Sequence, residues 1–253
     1  MKKALVVSLE KLTKEAYASI ICYPKTSKAE LKSRLKELQK LGIKSLEFTG
    51  EKEAFNTPVL GKGCVGIVVI AHRDGEKAAL KIRRVDADRS EMQREAEMLR
   101  KANSVNVGPK LRCVSNNFLL MQFIDGDLLP EWLEKRREKA RTRKVLRKIL
   151  EQCWCLDKAG LDHGELSHAP KHIIVDKADK AFIVDFETAS VNRKPSNVTS
   201  ICQFLFFSGV VAERVHEKLG RKDKKAIIET LKRYKRNRTR EKFEKVLEAC
   251  SLF

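Results

Sequence analysis

The chain has 253 residues, a formal net charge of +19 and a pI near 9.7. A hydrophobic fraction of 42% beside 34% charged residues excludes a disordered polyelectrolyte and supports a sizeable core. The cation excess points to polyanions such as nucleic acid or nucleotide phosphates, though a surface rich in Lys, Arg and Glu is also a thermophile trait, and both readings stand.

The first 50 residues are expected to form a helical extension. Glu10, Lys11, Lys14 and Glu15 interrupt any signal-peptide core, and Leu31, Leu35, Leu38 and Leu41 then recur at helical spacing up to Gly42, with Ser27 and Glu30 as the start signal. This segment either packs on the next domain or is half of a helix-turn-helix module; packing is favoured because no basic recognition face accompanies it. From Thr57 the pattern turns to strands: PVLGKG, VGIVVIA, the turn HRDGEK, and AALKIRR. A helix follows through SEMQREAEMLRKAN, with Ser90 and Gln93 as a capping box and Met92, Ala96 and Leu99 on one face. KLRCV and NFLLMQFI flank a turn at Ser115 to Asn117.

After Asp125-Gly126 the chain becomes mainly helical. Pro130 marks one helix start, and Leu146, Ile149, Leu150, Cys153 and Leu156 form a stripe that closes at Gly160. A short hairpin, HIIVD and AFIVD, interrupts the helices before a Lys- and Arg-rich end. The seven cysteines are odd in number, scattered and without C-x-x-C spacing, as in reduced thiols, and no apolar run reaches membrane-spanning length. A soluble, cytoplasmic protein is expected.

Several residues bear chemistry. Gly61, Gly63 and Gly66 lie between two strands, where backbone N–H groups can approach phosphates; an ordinary Gly-rich hairpin is the alternative. Lys81 sits among apolar residues in a strand and needs an acid; Glu95 is the first candidate, Glu91 the second. Asp185 ends the apolar strand AFIV, where its carboxylate can hold a hard cation or merely cap a turn. His163 and His168 lack zinc-ligand spacing.

Taken in order, GKGCVGIVV, AALK, LLMQFIDGD, LDHGELSHAPKHIIVD and FIVDFETAS resemble the protein kinase-like superfamily. Among its members they are most similar to RIO-type kinases, the small kinase of the KEOPS complex and a group of archaeal Ser/Thr kinases. The resemblance covers residues 55 to 210. It implies an α+β, two-lobed protein kinase-like fold: a small antiparallel-sheet N-lobe with one helix over 51–124 and a mainly helical C-lobe with basic C-terminal helices over 125–253, preceded by the helical extension 1–50. It further implies ATP with Mg²⁺ or Mn²⁺. Val68 would cover the adenine, Met121 would be the gatekeeper, and the Gln122 carbonyl and Ile124 amide would meet the base. Lys81 with Glu95 would bind phosphates, Glu165 would stand at the catalytic Asp position, and Asp185 would hold the metal.

Three departures are visible. Glu165 is one methylene longer than Asp; Pro170 stands where a metal-binding Asn is usual, so that His172 takes that slot only with a two-residue insertion; and Glu187 replaces the glycine of D-F-G. Imidazole is a poor Mg²⁺ ligand, so either a second metal is not held there or a softer ion such as Mn²⁺ is used. The leading expectation is an ATP-dependent Ser/Thr kinase acting on a protein partner or on itself. The alternative is an ATP-binding or ATP-hydrolysing module on RNA or a ribonucleoprotein, served by the basic clusters Lys135 to Lys148 and Lys218 to Arg240. A small-molecule phosphotransferase ranks last.

Overall fold

The computed structural model describes residues 4–135 and 138–253. Two compact units divide the chain: Met1–Glu97 with Lys110–Phe123, and Met98–Pro109 with Ile124–Phe253. In chain order the elements of the first are β1 (Leu5–Ser8), a 3-10 turn (Leu9–Thr13), α1 (Glu15–Ile21), α2 (Lys28–Lys40), β2 (Ser45–Phe48), β3 (Lys52–Ala54), β4 (Thr57–Val59), β5 (Gly61–Lys62), β6 (Gly66–Arg73), β7 (Glu76–Arg83), the greater part of α3 (Arg89–Ser104), β8 (Leu111–Val114) and β9 (Phe118–Gln122).

The main sheet runs β1-β2-β6-β7-β9-β8 with every pairing antiparallel, and β5 folds back onto β6. Alternation along these strands gives two different faces. Ile67, Val69, Ala71, Ala78, Leu80, Ile82, Phe118 and Leu120 share one core with Leu12, Ile20, Ile21, Leu38 and Ile43 of the N-terminal extension. On the other face, Leu119 and Met121 pack with Met92 and Ala96 of α3. The helical extension is present, and Ser27 caps α2 by accepting the Glu30 N–H at 3.2 Å. It also contributes β1 and β2 to the sheet, which the sequence reading did not anticipate.

Two local readings need correction. PVLGKG is two short strands, since β4 pairs with β3 while β5 pairs with β6. At the start of α3, Asp88 rather than Ser90 is the cap: its Oδ1 accepts the Ser90 N–H at 2.8 Å, and Gln93 donates its side-chain amide to the Ser115 carbonyl. An ionised Asp accepts more strongly than Ser, and that hydrogen bond holds the Asp88 carboxyl below its ordinary value.

The second unit contains β10 (Gly126–Leu128), α4 (Leu129–Lys135), α5 (Lys139–Lys158), β11 (Ile173–Asp176), β12 (Ala181–Ile183), α6 (Asn197–Phe206), α7 (Val210–Leu219), α8 (Lys224–Arg236) and α9 (Arg240–Ala249). β10, β11 and β12 form an antiparallel sheet. The expected α5 stripe is fully buried, and Gly160, at φ +69°, ends the helix. Asp157, the last buried residue of α5, accepts hydrogen bonds from the Asn197 N–H and side-chain amide at 2.8 Å and from the Tyr234 hydroxyl at 2.9 Å. One carboxylate thus ties α5 to the starts of α6 and to α8. Of the basic cluster at 135–148, Arg136 and Arg137 lie outside the described residues. Among the described residues, no single helix is long and apolar enough to cross a membrane.

Candidate active site

The glycine segment is a tight strand-turn-strand. Gly61 pairs with Val68, Lys62 with Ile67, and the Gly63 N–H donates to the Gly66 carbonyl at 2.8 Å. The glycines have different duties. A Cβ at Gly66 would stand 2.5 Å from the Ile82 carbonyl oxygen, so the approach of β6 to β7 requires glycine there. A Cβ at Gly63 would meet only the Gly66 oxygen, at 3.8 Å, leaving its outer side open.

Val68, Lys81 and Leu119 are register partners across β6, β7 and β9 and therefore share the face that α3 covers. Lys81 Nζ donates to Glu95 Oε2 at 2.7 Å, with both side chains almost sealed from water. Glu91, the second candidate, is exposed. Helical spacing explains the choice: Glu95 adjoins Ala96 and lies one turn from Met92, on the apolar side of α3. Met121 packs against the same cluster. The Gln122 N–H donates to the Lys110 carbonyl at 2.8 Å, its side-chain oxygen accepts the Lys110 N–H, and Ile124 follows the strand, half-buried.

Sequence reasoning missed the support beneath Lys81. Arg34 of α2 is fully buried and donates to the Ile21 and Arg83 carbonyls and to Glu30. Arg83, two residues beyond Lys81, donates in turn to Asn117 at 2.7 Å, and Glu37 of α2 accepts from the Asn117 N–H and side-chain amide. A buried arginine on a helix with many exposed charges gives no local signal.

In the second unit, the segment 161–172 between α5 and β11 presents Glu165 and His172, and Asp185 follows β12. One ligand atom from each of these three residues lies within 4.8 Å of the others. His172 Nε2 stands 3.7 Å from Glu165 Oε2; its ring is buried while Glu165 is partly open to water. The His172 carbonyl accepts the Val184 N–H at 2.9 Å, anchoring β12 one residue before Asp185. Asp185 adopts φ +68°, an uncommon conformation for a residue with a side chain and one that concentrates at functional positions.

His163 is scaffold. Its N–H donates to Asn197 Oδ1, its Nε2 meets the Val184 carbonyl at 3.1 Å, and its ring packs edge-on against Phe186. Burial pushes its imidazole down to about 4. Burial likewise lowers His172, with Asp185 and Glu165 pulling in the opposite direction. Asp162 and Asn197, unmarked in the sequence reading, hold the segment: Asp162 accepts from the Ser196 N–H and from Arg193, and Gly164, at φ +93°, leaves room for the Arg193 side chain. His168 is exposed and, among the described residues, joins no metal-competent cluster.

Oxygen ligands suit Mg²⁺, and the Asp185 and Glu165 carboxylates supply them; the His172 nitrogen is better matched to a borderline ion. Among the described residues this is the one group of His, Cys, Asp and Glu with such spacing.

Residues 69–201, just over half of the chain, match the RIO domain. The match includes Lys81, Glu95, Glu165, His172 and Asp185 and begins after the glycine segment. The chain is also 34% identical over 118 residues to an uncharacterized protein of Methanocaldococcus jannaschii, an alignment that takes in 46% of this chain and 99% of that relative.

Proposed function

From the premise that this chain belongs to the RIO family of atypical kinase-like proteins, we propose that it transfers the γ-phosphoryl group of ATP to a Ser or Thr hydroxyl of a protein, itself included. The observation that carries this reading is the buried Lys81–Glu95 pair. Sealing two charges from water costs several kcal/mol, roughly, before their attraction offsets it, so such a pair is poor stabiliser and good positioner. Lys81 binds nucleotide phosphates while Glu95 fixes its ammonium, and the open side of Gly63 admits a phosphate to backbone N–H groups. Val68, Met121, Gln122 and Ile124 receive the adenine.

Glu165, partly exposed, orients the acceptor hydroxyl and takes its proton; the longer side chain makes the acceptor position different from that set by an aspartate. Asp185 with His172 would hold the divalent ion, whose charge would offset that of phosphate. The test is transfer of labelled phosphate from ATP with Mg²⁺ or Mn²⁺. Asp185→Ala and the double variant Lys81→Met with Glu95→Leu should each abolish label on protein while the fold persists. Absence of transfer from the unmodified protein to itself or any acceptor would refute the kinase reading.

A second reading, an ATP-binding or ATP-hydrolysing module on RNA or a ribonucleoprotein, draws on the exposed cations of α8, among them Lys224, Lys225, Lys232, Lys235 and Arg236. Phosphate release without label on protein, together with nucleotide-dependent and salt-sensitive RNA binding, would favour it.

A further inference from the structure

The three groups at the end of β12 make more than a place for a nucleotide-borne ion. We propose that Glu165, His172 and Asp185 form a preformed three-ligand site for a borderline divalent ion, with Zn²⁺ as the test case. The site fills without nucleotide, and filling it arrests phosphoryl transfer by occupying Glu165. The arrest rests on the reading that Glu165 accepts the hydroxyl proton; the site does not.

Ligand number comes first. Mg²⁺ is ordinarily held by one or two carboxylates and completes its shell with water and substrate phosphates, so it has little affinity for such a place before ATP arrives. A nitrogen and two carboxylates, by contrast, match the donor set that borderline ions take from protein alone.

Geometry agrees. Two ligands about 2.1 Å from one ion at a tetrahedral angle stand about 3.4 Å apart. His172 Nε2 and Glu165 Oε2 already stand 3.7 Å apart, too far for a hydrogen bond and close to the separation that a shared ion sets. Every ligand atom of the set lies within 4.8 Å of the others, and the Glu165 side chain, partly open to water, is free to adjust toward a shared ion.

Orientation is also in place. The His172 ring is buried and set by its own backbone bonds, its N–H to the Ala169 carbonyl and its carbonyl to the Val184 N–H, and it packs edge-on against His163. Asp185 is held at φ +68° by the chain on either side. The buried His172 ring thus has little freedom to lose, which lowers the cost of binding. The consequence for catalysis follows from electron pairs. A carboxylate oxygen bonded to a cation is a weaker proton acceptor, and a Glu165 drawn toward the ion is drawn away from the acceptor hydroxyl.

The experiment titrates the nucleotide-free full chain with ZnCl₂ by calorimetry and follows Co²⁺ by visible absorption. One ion per chain is expected. Glu165→Gln, chosen because a partly exposed position tolerates the change, and His172→Asn should each weaken binding at least about tenfold, the lower range for disturbing even the outer shell of a metal site. Equal affinity in the unmodified protein and both variants would overturn the site, as would absence of binding at millimolar ion. In a parallel assay with Mg²⁺ and ATP, stoichiometric Zn²⁺ should suppress label transfer, and unaffected transfer on an ion-loaded protein would overturn the arrest. If the ion binds as expected but the protein never transfers phosphate under any condition, the kinase reading fails and the site stands.

Discussion

Lys81 and Glu95 are so nearly sealed from water that neither can be altered alone without leaving a charge in the interior. Glu95→Gln should therefore lower stability by about 3–5 kcal/mol, read as a shift of the urea midpoint, and remove phosphoryl transfer as well. Replacing both by apolar residues, Lys81→Met with Glu95→Leu, should restore most of the stability and none of the activity. A single variant that unfolds with the unmodified protein would show that the pair is not buried in solution. A second charge at this scale is Glu47. Burial opposes its ionisation, but hydrogen bonds from Lys77 and His72 prevail and hold its carboxyl below the ordinary 4.5. The folded state thus binds fewer protons than the unfolded one over that window. Stability from Glu47 is present above about pH 4.5 and is lost as pH falls through the lower folded value. Glu47→Gln should flatten the pH dependence of the thermal midpoint below 4.5; an unchanged slope would assign acid lability elsewhere. Residues such as Lys81, Glu95 and Asp185 were legible in the sequence because each adjoins an apolar pattern that says where it must lie. Arg34 and Asn197 were not, because their partners Arg83 and Asp157 are 49 and 40 residues away.

Among the elements, the β5–β6 hairpin is where the proposed phosphate binding is tested, because its glycines have different surroundings. At Gly66→Ala the new methyl would meet backbone oxygen, which cannot yield cheaply, so both stability and nucleotide affinity should fall. At Gly63→Ala the methyl meets nothing closer than 3.8 Å, and no left-handed conformation is needed, so stability should hold. Nucleotide affinity should nonetheless drop, since the methyl occupies the side from which a phosphate comes to the backbone. Thermal unfolding and a nucleotide titration, run on the two variants together, decide the matter: full affinity in Gly63→Ala would make this an ordinary hairpin. Apolar runs bounded by turn residues made β6, β7 and β9 legible as strands, as helical spacing did for α2, α3 and α5. β1 and β2 escaped because each is four residues long and Leu5 pairs with Phe48 across two intervening helices, with no turn to announce the partnership. The α3 cap was misassigned for a related reason. Ser90 and Asp88 are both plausible caps two residues apart, and only the hydrogen-bond geometry separates them.

For the molecule as a whole the dominant electrostatic quantity is the net charge of +19. Many cations are paired at the surface, as Arg240 is with Glu151 and Lys135 with Asp127, but exposed pairs contribute about 0–1 kcal/mol each. Every acidic residue could be paired and the excess of positive charge would remain. That excess repels itself in the compact state more than in the expanded one, so folding works against a field that salt can screen. Raising ionic strength from about 0.01 M to about 0.15 M shortens the screening length from about 30 Å to about 8 Å. The thermal midpoint should accordingly rise with added salt by about 2–4 °C, the response to ~1 kcal/mol in a chain of this size. Binding to any polyanion should weaken over the same interval, because the counterions released on binding are released into a more concentrated solution. The opposite signs of these two responses are what identify repulsion as the cause. A midpoint that falls with salt would mean that the surface pairs outweigh the excess charge, and that the basic surface serves the fold's own stability rather than a polyanionic partner.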